Sequence, residues 1–122
     1  MDVKPINGIT FKYSNELKTL YKKGKFPNVK YGFYGDEITE KTVTLEHLKP
    51  KCFGGKTELK NLVLASANKN QERGVRPLSE MINWLYVGQY FEQFRNVVVG
   101  SFNGNKYIEM AMATIKELLK ND

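Results

Sequence analysis

The sequence predicts an α+β fold: a strand, a long loop, a second strand and a short helix, braced by an N-terminal helix and two C-terminal helices. Three observations predict it. The β-branched run Thr42-Val43-Thr44 favours a strand that ends near His47. NLVLA, residues 61–65, is a second apolar run, followed at once by a capped segment ANKNQER. Beyond residue 76 the apolar residues recur at helical spacing.

The elements follow in order. Residues 1–13 alternate weakly and read as an irregular arm or a short strand. In SNELKTLYKKGK, Ser14 can cap a helix that carries Leu17, Leu20 and Tyr21 on one face and stops at Gly24. FPNVKYGFYGDE is aromatic and punctuated by Pro27, Gly32 and Gly35, so it reads as turns with a short strand. After TVTLEH, Pro50 and Gly54-Gly55 forbid a helix and demand a loop. Ser66 caps the short helix after the second strand, and Gly74 stops it. PLSEMINWLYVGQYFEQFRN reads as one helix opened by Pro77, with Leu78, Met81, Ile82, Leu85, Phe91 and Phe94 as its stripe. NKYIEMAMATIKELLKND reads as another, with Ile108, Met112, Ile115 and Leu119. Both stripes are expected to be core, bracing a β unit too small to stand alone.

With 122 residues, the chain is read as one domain, 1–122. No window reaches the length of a membrane span and the N-terminus lacks an apolar secretory core, so a cytoplasmic protein without membrane contact is expected. One cysteine, Cys52, excludes an intramolecular disulfide and a multi-cysteine zinc site. The formal charge is +6, and a basic domain attracts polyanions, of which nucleic acid is the commonest. Lys49, Lys51, Lys56, Lys60, Lys69, Arg73 and Arg76 crowd around or just after the only histidine, His47, and only Glu58 and Glu72 oppose them after Glu46. A solvated face that keeps the protein soluble would carry the same pattern.

The spacing around His47 is more specific than the charge. An acid-His pair, Glu46-His47, ends a strand; Pro50 follows three residues later, then Gly54-Gly55. Asn61 lies fourteen residues after His47 and Asn70 nine after that, and Arg73-Gly74 closes the pattern. Tyr31 to Gly74, about a third of the chain, resembles the HNH nuclease family in its HNN variant, with asparagine as third signature residue. The resemblance implies the ββα-metal fold for a motif core at about 31–74, with a helical C-terminal part at about 77–120. It implies a metal-dependent endonuclease that hydrolyses DNA phosphodiester bonds by nicking or double-strand cleavage.

The implied roles suit the residue types. His47 is the expected general base, since an imidazole near its ordinary pKa can take a proton from water at neutral pH. Glu46, where aspartate is the commoner acid, and Asn70 are the expected ligands of one divalent cation, magnesium or manganese, because both offer oxygen. Neighbouring strand residues face opposite ways, so Glu46 and His47 share a site only where the strand breaks into the loop. Asn61 is expected to pin the loop and so orient His47. Lys49, Lys51, Lys56, Lys69, Arg73 and Arg76 are the expected nucleic-acid contacts. Many relatives hold a structural zinc with two CxxC pairs; here Tyr31, Tyr34, Ser66 and Lys69 occupy those positions, so no structural zinc is expected. Aromatic packing and the C-terminal helices are expected to replace it.

The expected partner is duplex or branched DNA. Cutting both strands with one site each needs a homodimer. Trp84, Tyr86, Tyr90 and Phe91 are more bulky residues than one buried face needs, which leaves room for a protein partner on the C-terminal helices. Nucleases of this type are often carried by phages and mobile elements. A catalytically silent nucleic-acid-binding or protein-binding module on the same fold is the competing reading.

Overall fold

The computed structural model describes residues 16–121. The expected arm at 1–13 and the cap at Ser14 lie outside the described residues. Helix α1 is described over 16–22; it buries Leu17 and Leu20 and gives way to a turn at Gly24. A tight knuckle follows, closed by a bridge between Tyr31 and Glu37 and by Gly32 N–H donating to Asp36 O at 2.7 Å.

The expected hairpin forms. Strand β1 (Val43–His47) pairs antiparallel with β2 (Leu62–Ser66), in a register that sets Leu45 opposite Leu64 and His47 opposite Leu62. The loop between them contains two single-turn 3-10 segments, Lys51–Phe53 and Leu59–Asn61. Helix α2 (Ala67–Arg73) begins at Ser66, whose hydroxyl accepts from Lys69 N–H at 3.2 Å, and ends at Gly74. The order strand, loop, strand, helix is therefore the one expected, in an α+β fold.

Every residue of β2 is buried, and its outer edge is closed group by group. Leu64 N–H donates to the Tyr90 hydroxyl at 2.9 Å, and the Tyr107 hydroxyl donates to Leu62 O at 2.8 Å. Tyr107 has spent its only proton there, so Tyr90 is the donor in the 2.9 Å contact between the two hydroxyls. Burial raises both phenol pKa values, which keeps both protons in place. Phe33 N–H donates to Leu64 O at 2.9 Å, and Ser66 N–H donates to the Asp36 carboxylate at 2.7 Å. An edge strand left open would expose these groups as a template for pairing.

The C-terminal part corrects one expectation. The run from Pro77 is two helices, α3 (Leu78–Met81) and α4 (Trp84–Glu92). Ile82 and Asn83 are extended, and the Asn83 side chain accepts from Leu85 and Tyr86 N–H. Asparagine competes for backbone groups from outside a helix, so it starts a new one rather than continuing the old. Leu85, expected in the core stripe, is 83% exposed in the first turn of α4, whereas Leu78, Phe91 and Phe94 are buried. A two-residue hairpin, β3 (Val98–Val99) with β4 (Phe102–Asn103), precedes the long helix α5 (Gly104–Asn121). Of the expected α5 stripe, Ile115 is buried, and Ile108, Met112 and Leu119 are half-buried. Tyr107 and Ala111 complete the inward line.

The aliphatic core encloses a linked cluster of aromatic rings. Phe33, Tyr90, Phe91, Phe94, Phe102 and Tyr107 are joined by edge-to-face or tilted contacts, from 5.0 Å between the centroids of Tyr90 and Phe91 to 6.2 Å for Phe33 and Phe91. These rings tie the knuckle, α4 and α5 to the hairpin. No helix among the described residues is long and apolar enough to cross a membrane.

Candidate functional site

The site lies where β1 ends. His47 is half-buried, and its Nε2 lies 2.9 Å from the hydroxyl of Thr57 in the loop. Partial burial lowers its pKa from the ordinary 6.5, and the Lys51 ammonium lowers it further. The imidazole is therefore neutral at pH 7. When Nε2–H donates to Thr57, the lone pair sits on Nδ1, which has no partner among the described contacts.

Asn61 holds the loop as expected of a pin. Its Oδ1 accepts from Lys49 N–H at 2.9 Å, and its Nδ2 donates to Lys49 O at 3.1 Å and Lys56 O at 2.9 Å. One buried amide thus closes both ends of the 49–56 loop, and Leu48 N–H adds a bond to Asn61 O at 2.8 Å. The loop's compactness depends on Gly55: a Cβ there would meet Lys49 O at 1.8 Å, a distance no side chain tolerates.

Glu46 points the other way, toward α2. It is 4% exposed. Its Oε2 accepts from the Tyr34 hydroxyl at 2.6 Å and from Arg73 Nη1 at 3.2 Å. Burial, and then the adjacent Glu46 charge, raise the pKa of Tyr34, so it remains a donor. Asn70 stands one helical turn before Arg73 on the same face of α2. Its Nδ2 donates to Thr44 Oγ1 at 3.0 Å and Leu45 O at 3.1 Å. Since a carbonyl can only accept, these bonds fix the orientation of the amide, and Oδ1 is the end left over.

Arg73 corrects an expectation. Expected to touch the nucleic-acid backbone, it is 1% exposed. Its guanidinium donates to His47 O at 2.9 Å, Leu48 O at 2.9 Å, Arg76 O at 2.9 Å, Glu46 at 3.2 Å and the Tyr34 hydroxyl at 3.4 Å. A fork of five donors suits this role. Arg73 fixes the strand end on which His47 stands, and presents nothing to solvent. Lys69 is half-buried and paired with Glu72 at 3.2 Å. Lys49, Lys51, Lys56 and Arg76 are exposed. The Arg76 guanidinium donates to Glu72 O.

Of the four positions at which no zinc ligand is expected, Tyr31 bonds through its backbone to the Gln93 side chain, Tyr34 serves Glu46, Ser66 caps α2 and Lys69 pairs with Glu72. Asp36 joins the knuckle to the end of β2 through Ser66 N–H.

Among the described residues no group of three or more His, Cys, Asp or Glu side chains is placed to hold a metal ion, so a cation at this end of β1 would rest on two oxygens and on ligands from outside the chain. Glu46 has its second oxygen, Oε1, outside the Tyr34 and Arg73 contacts, and Asn70 has Oδ1. Two oxygens with one negative charge make a lean set, of the kind magnesium completes with waters and a substrate phosphate. A ligating carboxylate held by further hydrogen bonds is also usual in metal sites.

No family model, no curated protein and no solved structure matches the chain.

Proposed function

We propose that this protein is a divalent-cation-dependent endonuclease that hydrolyses DNA phosphodiester bonds. One observation carries the reading: a neutral imidazole, with Nε2 anchored on Thr57, stands at the mouth of a loop that Asn61 closes and exposed lysines surround. The Glu46-His47, Asn61 and Asn70 spacing that resembles the HNH family supports it.

His47 Nδ1 takes the proton of the attacking water, while Thr57 holds the tautomer that makes this possible. Partial burial, and then Lys51, keep the imidazole neutral, and Lys51 with Lys49 and Lys56 draws the phosphate backbone to the loop. Arg73 and Asn61 fix the backbone from His47 to Lys49, so the base meets the phosphate without rearranging. Glu46 and Asn70 would hold the cation, which when bound neutralises phosphate charge and eases departure of the leaving oxygen.

A second reading, a DNA-binding module without catalysis, is favoured by one contact. Glu46, the carboxylate offered to the cation, already faces the charge of Arg73. Nicking of supercoiled plasmid in magnesium, manganese and EDTA decides between them. Cleavage that needs metal and is lost in His47→Ala and Asn70→Ala is the expected result. DNA binding without cleavage in any metal would leave the binding module.

A further inference from the structure

We infer that the cleft between Phe53 and Val75 binds an unpaired nucleobase of the DNA held at His47, so that the preferred substrate is DNA with a single-stranded or extruded nucleotide. The inference rests on the nuclease reading for the phosphate at His47, while base binding itself needs no cleavage.

The cleft has a volume of about 340 Å³, within the range of small-ligand sites. Leu48 and Lys49, the two residues after His47, form part of its wall, so the cleft opens beside the loop that leaves β1 at His47. Pro50, Phe53, Val75 and Pro77 supply apolar surface, and Lys49 and Arg76 supply charge. None of the residues that line it is a carboxylate. The larger groove along α5, about 590 Å³, mixes Glu58 and Glu117 with its lysines and suits a polyanion less well.

Two residues on this cleft are exposed without a packing reason. Phe53 is 59% exposed and Val75 57%. Both stand on fixed backbone. Phe53 ends the 3-10 turn that Gly54 N–H closes onto Lys51 O at 2.9 Å, inside the loop held by Asn61. Val75 lies between Arg73 and Arg76, which are joined by the 2.9 Å bond from Arg73 Nε. An exposed aromatic ring on a held backbone beside cations is what single-stranded nucleic-acid sites use: the ring stacks on a base and the cations hold the flanking phosphates. A paired base, stacked inside a duplex, offers no face to this ring.

Fluorescence anisotropy tests this with three short DNA probes in EDTA: a single strand, a perfect duplex, and the same duplex with one bulged nucleotide. Wild type is expected to bind the single strand and the bulged duplex more tightly than the perfect duplex. Phe53→Ala is expected to weaken bulged-duplex binding about tenfold and leave the perfect duplex unchanged. Because Phe53 is exposed, the variant should fold, which circular dichroism checks. Equal wild-type affinity for bulged and perfect duplex, or an equal loss on both in Phe53→Ala, would overturn the inference. Plasmid nicking run in parallel separates the two claims. Nicking with no bulge preference removes the base cleft and keeps the nuclease; a Phe53-dependent bulge preference with no nicking in any metal removes the nuclease and keeps the cleft.

Discussion

The guanidinium of Arg73 lies 3.2 Å from the carboxylate of Glu46, and both side chains are shut away from solvent. Each charge is tolerable only because the other is present. Arg73→Ala leaves Glu46 buried without its partner and deprives the carbonyls of His47, Leu48 and Arg76 of a donor. The expected loss is about 3–5 kcal/mol of stability, read by urea denaturation. Arg73→Lys should recover only part of it, since a single ammonium cannot serve so many acceptors in one plane. A variant as stable as wild type would show that the pair does not hold the strand end.

Asn61 should separate stability from activity. Asn61→Ala removes both donors and the acceptor that close the loop, and should cost about 1–3 kcal/mol through the groups left unpaired. Asn61→Asp keeps the acceptor for Lys49 N–H but sets carboxylate oxygen against Lys49 O and Lys56 O. Both variants should nick plasmid more slowly than wild type under conditions where each remains folded by circular dichroism. Unchanged nicking in a folded Asn61→Ala would mean that the loop does not need its pin.

The lowered pKa of His47 fixes the sign of a pH effect. A general base works when neutral, so with His47 in the proposed role activity should fall as acid protonates it, and the acidic limb of kcat/KM should lie below pH 6.5. Lys51→Glu replaces a neighbouring positive charge with a negative one and should move that limb upward. A wild-type limb above pH 6.5, or no movement in the variant, would count against His47 as the titrating base.

Tyr107→Phe tests the brace. It removes the donor to Leu62 O and an acceptor for Tyr90, with the ring kept in place. A loss of about 1–3 kcal/mol is expected from thermal or urea unfolding. Activity measured well below the transition should change little, because the hydroxyl bonds the edge of β2 turned away from β1 and His47.

The hairpin and α2 were legible because their signals are local: β-branched residues in β1, a serine that caps and a glycine that stops. The loop pin was expected only from what the resemblance around His47 implied, since an asparagine at that point reads locally as a turn residue. Arg73 was not, because sequence reading treats an arginine among lysines as solvated. Its position one turn after Asn70, on the face of α2 turned to β1, is the signal that marks it as inward. The break at Ile82-Asn83 was hidden because the apolar spacing runs straight through it, while one side-chain cap decides the matter. The tyrosine pair on β2 joins residues far apart in the chain, and no local pattern announces such contacts.

The sealing of β2 also governs how copies of this protein can meet. With two tyrosine hydroxyls, a backbone amide and an aspartate already seated along that edge, no incoming strand can extend the sheet there without first evicting them. Self-association by strand addition at β2 is closed. A dimer that cuts both strands would have to be built from helix or loop surfaces.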